Sequence, residues 1–376
     1  MKSRLAFVDL MRGMAMLVMI EVHVVNSMLN AMIRHEWWYP ILNFINGMVA
    51  PSFIFISGFA FVLASQKKLD AFRSMKYDFW RQLGRILFIW IIGYQLHVPY
   101  MSLKNIRQYA SQDEILALYG IDVLQCIALG LMALFITRLI IKSDRIYFGL
   151  HAAAGAVIVF FAPLAYSFDF TAVFPVPVAV YFTHIYNSNF PIFPWLGFMA
   201  FGAVAAHLFS LAHNTGADGR FMKRLLALGV ILSAAGGAMM YALSDMPHVI
   251  KDIRAWPHFF FARLGIVFIL LAACYYYARR RDLNGSLLLD ASRETLLVYW
   301  LHLQILYRQL WMNASLVAHV DRTFGIIQCA LATLLIIALM LATARLWGGI
   351  KMRYEYAGRT AVWAIVAGCG VYFFTM

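Results

Sequence analysis

Apolar runs of about twenty residues, separated by short polar and basic segments, recur along almost the whole chain. As a helix, such a run matches the thickness of a bilayer's hydrocarbon core. The pattern predicts an all-α polytopic membrane protein that forms one transmembrane domain over residues 1–376. We expect about eleven spans, at residues 5–29, 41–65, 80–100, 119–141, 146–166, 193–213, 225–244, 257–278, 287–308, 323–344 and 360–376.

Lysine and arginine are concentrated in alternate loops, as in residues 66–81 after the second span and 279–281 after the eighth. Cytoplasmic loops carry such an excess. The distribution therefore predicts a cytoplasmic N-terminus and, with an odd number of spans, a C-terminus on the outside. The longest loop, residues 167–192, would then be outside. It is rich in aromatic residues and proline, and it either re-enters the membrane or lies as an ordinary loop on the interface.

Composition agrees with this class, because 63% of the residues are hydrophobic and only 13% are charged. The net charge of +13 would suit a nucleic-acid partner, but the basic residues lie in short loops between apolar runs. The charge therefore indicates a lipid bilayer as the partner and no nucleic acid. The four cysteines form no CxxC pair, so the sequence predicts neither a disulfide framework nor a metal site.

The first span is unusually polar for its length. On a helix, most of its polar side chains fall within an arc of about 100°, which we call the first-span stripe: Asp9, Arg12, His23, Asn26 and Asn30. Glu21 points to another side. Ionisable groups in hydrocarbon cost several kcal/mol unless they face a partner or a wet cavity. The stripe is therefore a candidate functional site, or alternatively a set of hydrogen bonds that joins the span to its neighbours.

Two parts of this stretch carry candidate chemistry. Asp9 and Arg12 have the spacing of an ion pair on one helix face, which could equally be structural. His23 and, in the following outer loop, His35 would place two imidazoles at the mouth of one cavity. Histidine suits proton transfer near neutral pH, although a lone histidine in a helix is more often a packing residue.

Basic and polar residues elsewhere suggest a cofactor site and supporting groups. The densest basic patch lies between the second and third spans, and with Arg12 it could hold phosphates: Lys67, Lys68, Arg81 and Arg85, with Trp80 as an aromatic surface. The alternative is the ordinary excess of positive charge inside. Further polar groups within spans are structural or orient a substrate: Asn46, Asp122 and His302.

A series of motifs, in order along the chain, resembles the multi-span membrane acyltransferases of the heparan-α-glucosaminide N-acetyltransferase type. The residues that carry the resemblance are Arg4 with Val8-Asp9-Leu10-Met11-Arg12-Gly13, Pro51-Ser52-Phe53-Ile54-Phe55-Ile56-Ser57-Gly58, Ile121-Asp122-Val123-Leu124-Gln125, Phe193-Pro194-Trp195-Leu196-Gly197 with Gly202, and Tyr299-Trp300-Leu301-His302. The membrane acyltransferase-3 group shares a similar opening and is the rival family.

The resemblance implies transfer of an acetyl group from cytosolic acetyl-CoA to an amino sugar or other glycan at the far side of the membrane. It identifies His35 with the family's essential loop histidine and His23 with its helper, where the animal enzyme has Asn. It adds Trp195 to the orienting residues and implies no metal. The chain lacks the animal enzyme's luminal domain, so we expect a bacterial cytoplasmic membrane. Which histidine is the base, whether an acyl-histidine forms, and whether the chain is a homodimer stay open.

The working hypothesis is that the first-span stripe forms one wall of a channel. CoA phosphates would bind at the basic patch, the pantetheine arm would follow the first-span stripe, and the thioester would arrive near His23 and His35. A solute transporter using the same stripe is the alternative, but it predicts broken helices in two related halves, which the sequence does not indicate. A sensor or scaffold would not need two histidines at the mouth of one cavity.

Overall fold

The computed structural model describes residues 5–100, 102–243, 252–283, 285–308 and 314–375. Within these ranges the chain is helical and contains no strand beyond isolated bridges, which confirms the predicted all-α class. In order, the α-helices are α1 (Ala6–Met28), α2 (Tyr39–Asn46), α3 (Val49–Ser65), α4 (Leu69–Arg73), α5 (Tyr77–His97), α6 (Leu103–Tyr109), α7 (Gln112–Ala117), α8 (Val123–Ile140), α9 (Asp144–Ser167), α10 (Val176–Ala179), α11 (Ile192–Asn214), α12 (Asp218–Ala242), α13 (Pro257–Arg280), α14 (Leu287–Arg293), α15 (Thr295–Tyr307), α16 (Leu316–Val320), α17 (Ile326–Arg353) and α18 (Glu355–Thr375). Short 3-10 helices occur at Ala31–His35, Gln66–Lys68, Phe170–Ala172 and Ile253–Ala255.

Within the described residues, seven segments are helical, long and apolar enough to cross a membrane. One of them consists of α2 and α3 together, and the others are α8, α9, α11, α12, α13 and α17. The first and third predicted spans are present as the helices α1 and α5, although neither belongs to this set. The count of about eleven spans and the orientation of the termini stay predictions.

The apolar surface of α17 is typical of a helix that faces lipid. Leu331, Leu334 and Leu335 are between 62% and 71% exposed and lie on one side of the helix. In water such a surface would be costly, whereas lipid tails solvate it.

The chain divides into two compact units. The first unit comprises Met1–Val49, Val98–Ala110 and Tyr277–Met376. Within it, α1 packs against α14, α15 and α17. The C-terminal end of α1 is tied to the start of α17 by backbone hydrogen bonds: Asn30 N donates to Phe324 O at 2.9 Å and Phe324 N donates to Met28 O at 3.1 Å. The helix that carries the first-span stripe is therefore held at its C-terminal end.

The second unit comprises Ala50–His97 and Ser111–Tyr276. Its most extensive helix contacts are between α9 and α11 and between α5 and α8. A side chain at Gly202 would meet the backbone carbonyl of Phe55, and a Cβ at Gly58 would meet that of Met199. Both glycines thus allow α3 and α11 to pack with their backbones in contact.

One predicted span is wrong in detail. Residues 287–308 were expected to form one helix, but the structure contains α14 and α15, separated at Glu294. Glu294 has φ −108° and ψ 26°, and the Thr295 hydroxyl donates to the Ser292 carbonyl at 2.6 Å. Local bonds of this kind compete with the helical ladder. Lys351 of α17 also pairs with Glu294, with Nζ 2.6 Å from Oε2.

The long loop between α9 and α11 is folded against its own unit. The backbone amides of Asn189 and Phe190 both donate to the carbonyl of Ile121, just before α8. The Tyr181 hydroxyl accepts from Trp90 Nε1 at 2.9 Å and lies 2.7 Å from the Tyr94 hydroxyl, both on α5. Burial, together with the hydrogen bond to Tyr94, raises the pKa of Tyr181 above its ordinary value.

Candidate functional site

The N-terminal part of the first-span stripe is fixed within the first unit. Arg12 Nη1 lies 3.4 Å from Asp9 Oδ1, and Asp9 is only 5% exposed. A Cβ at Gly13 would lie 2.8 Å from the side chain of Leu288. The small residue therefore lets α1 approach α14 closely, and the ion pair lies beside this contact.

The C-terminal part of the stripe brings His23 together with two side chains of α15. The ring centroids of His23 and His302 are 5.2 Å apart, with the ring planes tilted by 52°. The Tyr307 hydroxyl oxygen lies 3.5 Å from His23 Nδ1 and 3.4 Å from the His23 carbonyl oxygen. We call these three residues the His23 cluster. It joins two titratable rings and a phenol in one place.

His302 is the buried member of the His23 cluster, with no exposed surface. Its Nδ1 lies 2.8 Å from the backbone carbonyl of Val298. A carbonyl only accepts, so Nδ1 carries the hydrogen, and Nε2 of the neutral ring is an acceptor. Within the described residues this Nε2 has no hydrogen-bond partner. A buried acceptor without a donor costs free energy, which a donor brought to it would recover.

Glu21 lies on the other side of α1 and has a different partner. Its Oε1 accepts from Asn46 Nδ2 on α2 at 3.4 Å. Asn46 is 7% exposed, and its Oδ1 is buried without a partner among the described residues. These contacts join α1 to α2 and lie apart from the His23 cluster on the helix surface.

The segment after α1 is held by Arg34 rather than by His35. Arg34 Nη2 donates to the carbonyl of Asn26 at 2.8 Å and lies 3.4 Å from those of Val25 and Leu29, so it caps the last turn of α1. His35, the next residue, is exposed at the end of its 3-10 helix. The Asn26 side chain is also exposed.

The predicted basic patch forms an exposed face on the first turns of α5, in the second unit. Arg81 and Arg85 are exposed one helical turn apart, and Trp80 is 63% exposed. The Arg81 guanidinium lies 5.9 Å from the ring centroid of Tyr77. Lys68 pairs with Asp78 at 2.8 Å. The side chain of Lys67 lies outside the described part, and Arg12 belongs to the first unit.

Two further predicted residues lie at helix starts in the second unit. Asp122 Oδ1 accepts from the Val123 amide at 2.7 Å, and Gln125 accepts from the Asp122 amide at 3.2 Å, so the pair caps α8. Trp195 is 4% exposed and meets the Phe190 ring edge to face, with 4.8 Å between ring centroids. Both residues thus have structural contacts, and a part in orienting a substrate stays a prediction.

Sequence reasoning missed Arg34 and Tyr307. Arg34 was interpreted as an ordinary charge of a predicted outer loop. A cation just beyond a helix C-terminus is nevertheless a known capping pattern. Tyr307 lies at the end of an aromatic run, and nothing local indicates that it reaches His23. The pairing of α1 with α15 is a long-range contact that no periodicity reveals.

A family model described as "Heparan-alpha-glucosaminide N-acetyltransferase, catalytic" matches residues 4–233, which is more than half of the chain. The match contains the motifs from Arg4 to Gly202 on which the resemblance rests and confirms that resemblance. The motif at Tyr299–His302 lies beyond the matched range. No curated protein matches the chain.

Proposed function

The chain belongs to the heparan-alpha-glucosaminide N-acetyltransferase catalytic family, and from this premise we propose that it transfers acetyl from cytosolic acetyl-CoA to an amine at the far side of the membrane. It is an integral membrane protein and a transferase by its helices and its family. The donor, the acceptor and the residues that act are the proposal. The acceptor we propose is an amino sugar or another glycan, and the compartment is a bacterial cytoplasmic membrane.

The contact of His23 with His302 and Tyr307 is the observation that carries the proposal. An acetyl transfer needs a group that removes a proton from the attacking amine, and histidine is the usual choice. His23 lies within the matched range, and its ring contacts those of His302 and Tyr307. We assign it the role of general base and give exposed His35 the role of contacting the acceptor.

The reaction balances with these groups. The neutral acceptor nitrogen attacks the thioester carbon, forming a C–N bond while the C–S bond breaks. His23 takes the proton that the nitrogen loses and then returns it to the CoA thiolate. The products are an N-acetylated acceptor and free CoA. An acetyl-histidine intermediate is the alternative route, in which the histidine nitrogen attacks first.

The exposed face of α5 supports a site for the CoA phosphates. Arg81 and Arg85 offer guanidinium donors, which suit phosphate oxygens, and Trp80 offers a ring for the adenine. Gly84 between them meets no atom within 4 Å of a Cβ position, so the face is open there. The predicted parts of Lys67, Lys68 and Arg12 in this site stay predictions.

Calorimetric titration of the purified protein with acetyl-CoA tests the donor site. Replacing Arg81 and Arg85 together with alanine should weaken binding on the order of tenfold or more, because two charge-assisted contacts are lost. Arg220 and Arg224 on α12 are a matched control, since both are exposed and they have the same spacing. Equal effects of the two double variants would show general charge attraction and contradict the assignment. Wild-type protein that binds no acetyl-CoA at micromolar concentration would overturn the proposed function.

A further inference from the structure

One ring nitrogen of His302 has a hydrogen-bond partner, and the other has none among the described residues. Nδ1 is engaged with the Val298 carbonyl of its own helix, which fixes the ring and its tautomer. Nε2 is an acceptor, is fully buried and has no partner among the described residues. A packing histidine would have its second nitrogen satisfied. The side chain is therefore arranged to receive a hydrogen from a donor.

His23 is the neighbouring ring from which such a hydrogen can come. Its centroid lies 5.2 Å from that of His302, and His23 is partly exposed whereas His302 is covered. A saccharide-sized acceptor can therefore meet His23 but not His302. Hydrogen bonds of catalytic groups are often long in the unliganded state and close in the reacting complex.

On the side of His23 that faces Tyr307, the ring presents Nδ1. Nδ1 lies 3.5 Å from the Tyr307 hydroxyl, which is on the exposed side of the cluster, since Tyr307 is 43% exposed. Nε2 is the other nitrogen of the same ring. A hydrogen on Nε2 leaves the lone pair on Nδ1.

We infer that His302 is a positioning residue for His23: its Nε2 accepts the hydrogen of His23 Nε2 and so leaves His23 Nδ1 to accept the proton from the acceptor amine. This inference rests on the proposed function. In the step above, the proton enters at Nδ1 and leaves from Nδ1 to the thiolate. His23 is an imidazolium in between, with its Nε2 hydrogen bonded to His302, and His302 stays neutral throughout. The arrangement follows the general logic of a base oriented by a third group.

Two substitutions test the roles of the two ring nitrogens of His302 one at a time. In His302→Asn, the amide nitrogen can still donate to Val298, but nothing replaces Nε2. In His302→Gln, the amide oxygen can reach the place of Nε2 and accept. Turnover is measured as thiol release from acetyl-CoA with glucosamine as the amine. We expect His302→Asn to lower kcat on the order of 100-fold, with the KM for acetyl-CoA unchanged, and His302→Gln to recover about tenfold of this loss.

His151→Asn is the matched control. His151 is a buried histidine of α9 whose Nε2 lies 3.0 Å from the Thr137 hydroxyl, and it has no part in the proposed chemistry. Its kcat should equal that of the wild type. A His302→Asn variant with wild-type kcat would overturn the inference, and so would equal loss in the Asn and Gln variants.

A measurement on the unreacted wild type keeps the inference testable without turnover. Nitrogen-15 NMR of histidine-labelled protein in detergent reports which nitrogen of each ring carries hydrogen, and the His23 signals are assigned from their loss in His23→Ala. We expect the hydrogen of His23 on Nε2, and a hydrogen on Nδ1 instead would overturn the inference. If the wild type releases no CoA, the proposed function fails, whereas this tautomer result still decides the role of His302.

Discussion

His23 and His35 belong to one stretch of chain, yet they have opposite environments. His23 lies on α1 and contacts His302 and Tyr307. His35 ends a 3-10 helix on the exposed side, and the segment is held by its neighbour Arg34. An imidazole held among polar groups can have a defined tautomer, whereas an exposed one is free to meet a substrate. The difference teaches that two histidines close in sequence can divide the work of one reaction.

The largest expected effects come from removing the two imidazoles. His23→Ala should lower kcat by about 100-fold to 10,000-fold, the usual value of acid–base catalysis, while acetyl-CoA binding is retained. His35→Ala should mainly raise the KM for glucosamine and leave thermal stability unchanged, because the side chain is exposed. Steady-state kinetics on both variants measure the split. Loss of kcat in His35→Ala alone would reverse the two assignments.

Arg34→Ala should have an intermediate effect. The substitution leaves the last carbonyls of α1 without their cap, which costs about 1–2 kcal/mol, and it loosens the segment that carries His35. We expect lower thermal stability and a fall of about tenfold in kcat/KM for glucosamine. Arg107→Ala is the control, as Arg107 is an exposed arginine of the same unit. If the two variants behave alike, Arg34 does not position His35.

Tyr307→Phe should have the smallest effect. The phenol lies at 3.5 Å from His23 Nδ1, which is the limit of a hydrogen bond, so its loss should change kcat by about threefold. The ring remains and keeps its edge contact with His23. The same kinetic assay measures this change. A loss as large as that of His23→Ala would make the hydroxyl, rather than His302, the group that orients His23.

Much of the helical framework could be predicted from the chain alone, because long apolar windows mark helices directly. The ends of α8, α9, α11 and α13 fall within a few residues of the predicted spans. The break at Glu294 was missed, although it lies in the polar stretch Asp290-Ala291-Ser292-Arg293-Glu294-Thr295, where local hydrogen bonds of Ser292 and Thr295 compete with the helical ladder.

The candidate site divides in the same way. The polar stripe of α1 and the pairing of Asp9 with Arg12 follow from spacing on one helix. The partner of His23 does not, because His302 lies far along the sequence and its unsatisfied nitrogen is visible only once the fold is known. Glu21 was expected to point away from the stripe, but its partner Asn46 was likewise a long-range contact.

Transfer of label across a sealed membrane tests the central claim most directly. The protein is reconstituted in vesicles with glucosamine inside, and acetyl-CoA labelled in the acetyl group is added outside. The account predicts labelled N-acetylglucosamine in the vesicle interior with wild-type protein and almost none with His23→Ala. Protein that binds acetyl-CoA but yields no labelled amide in the interior would contradict it.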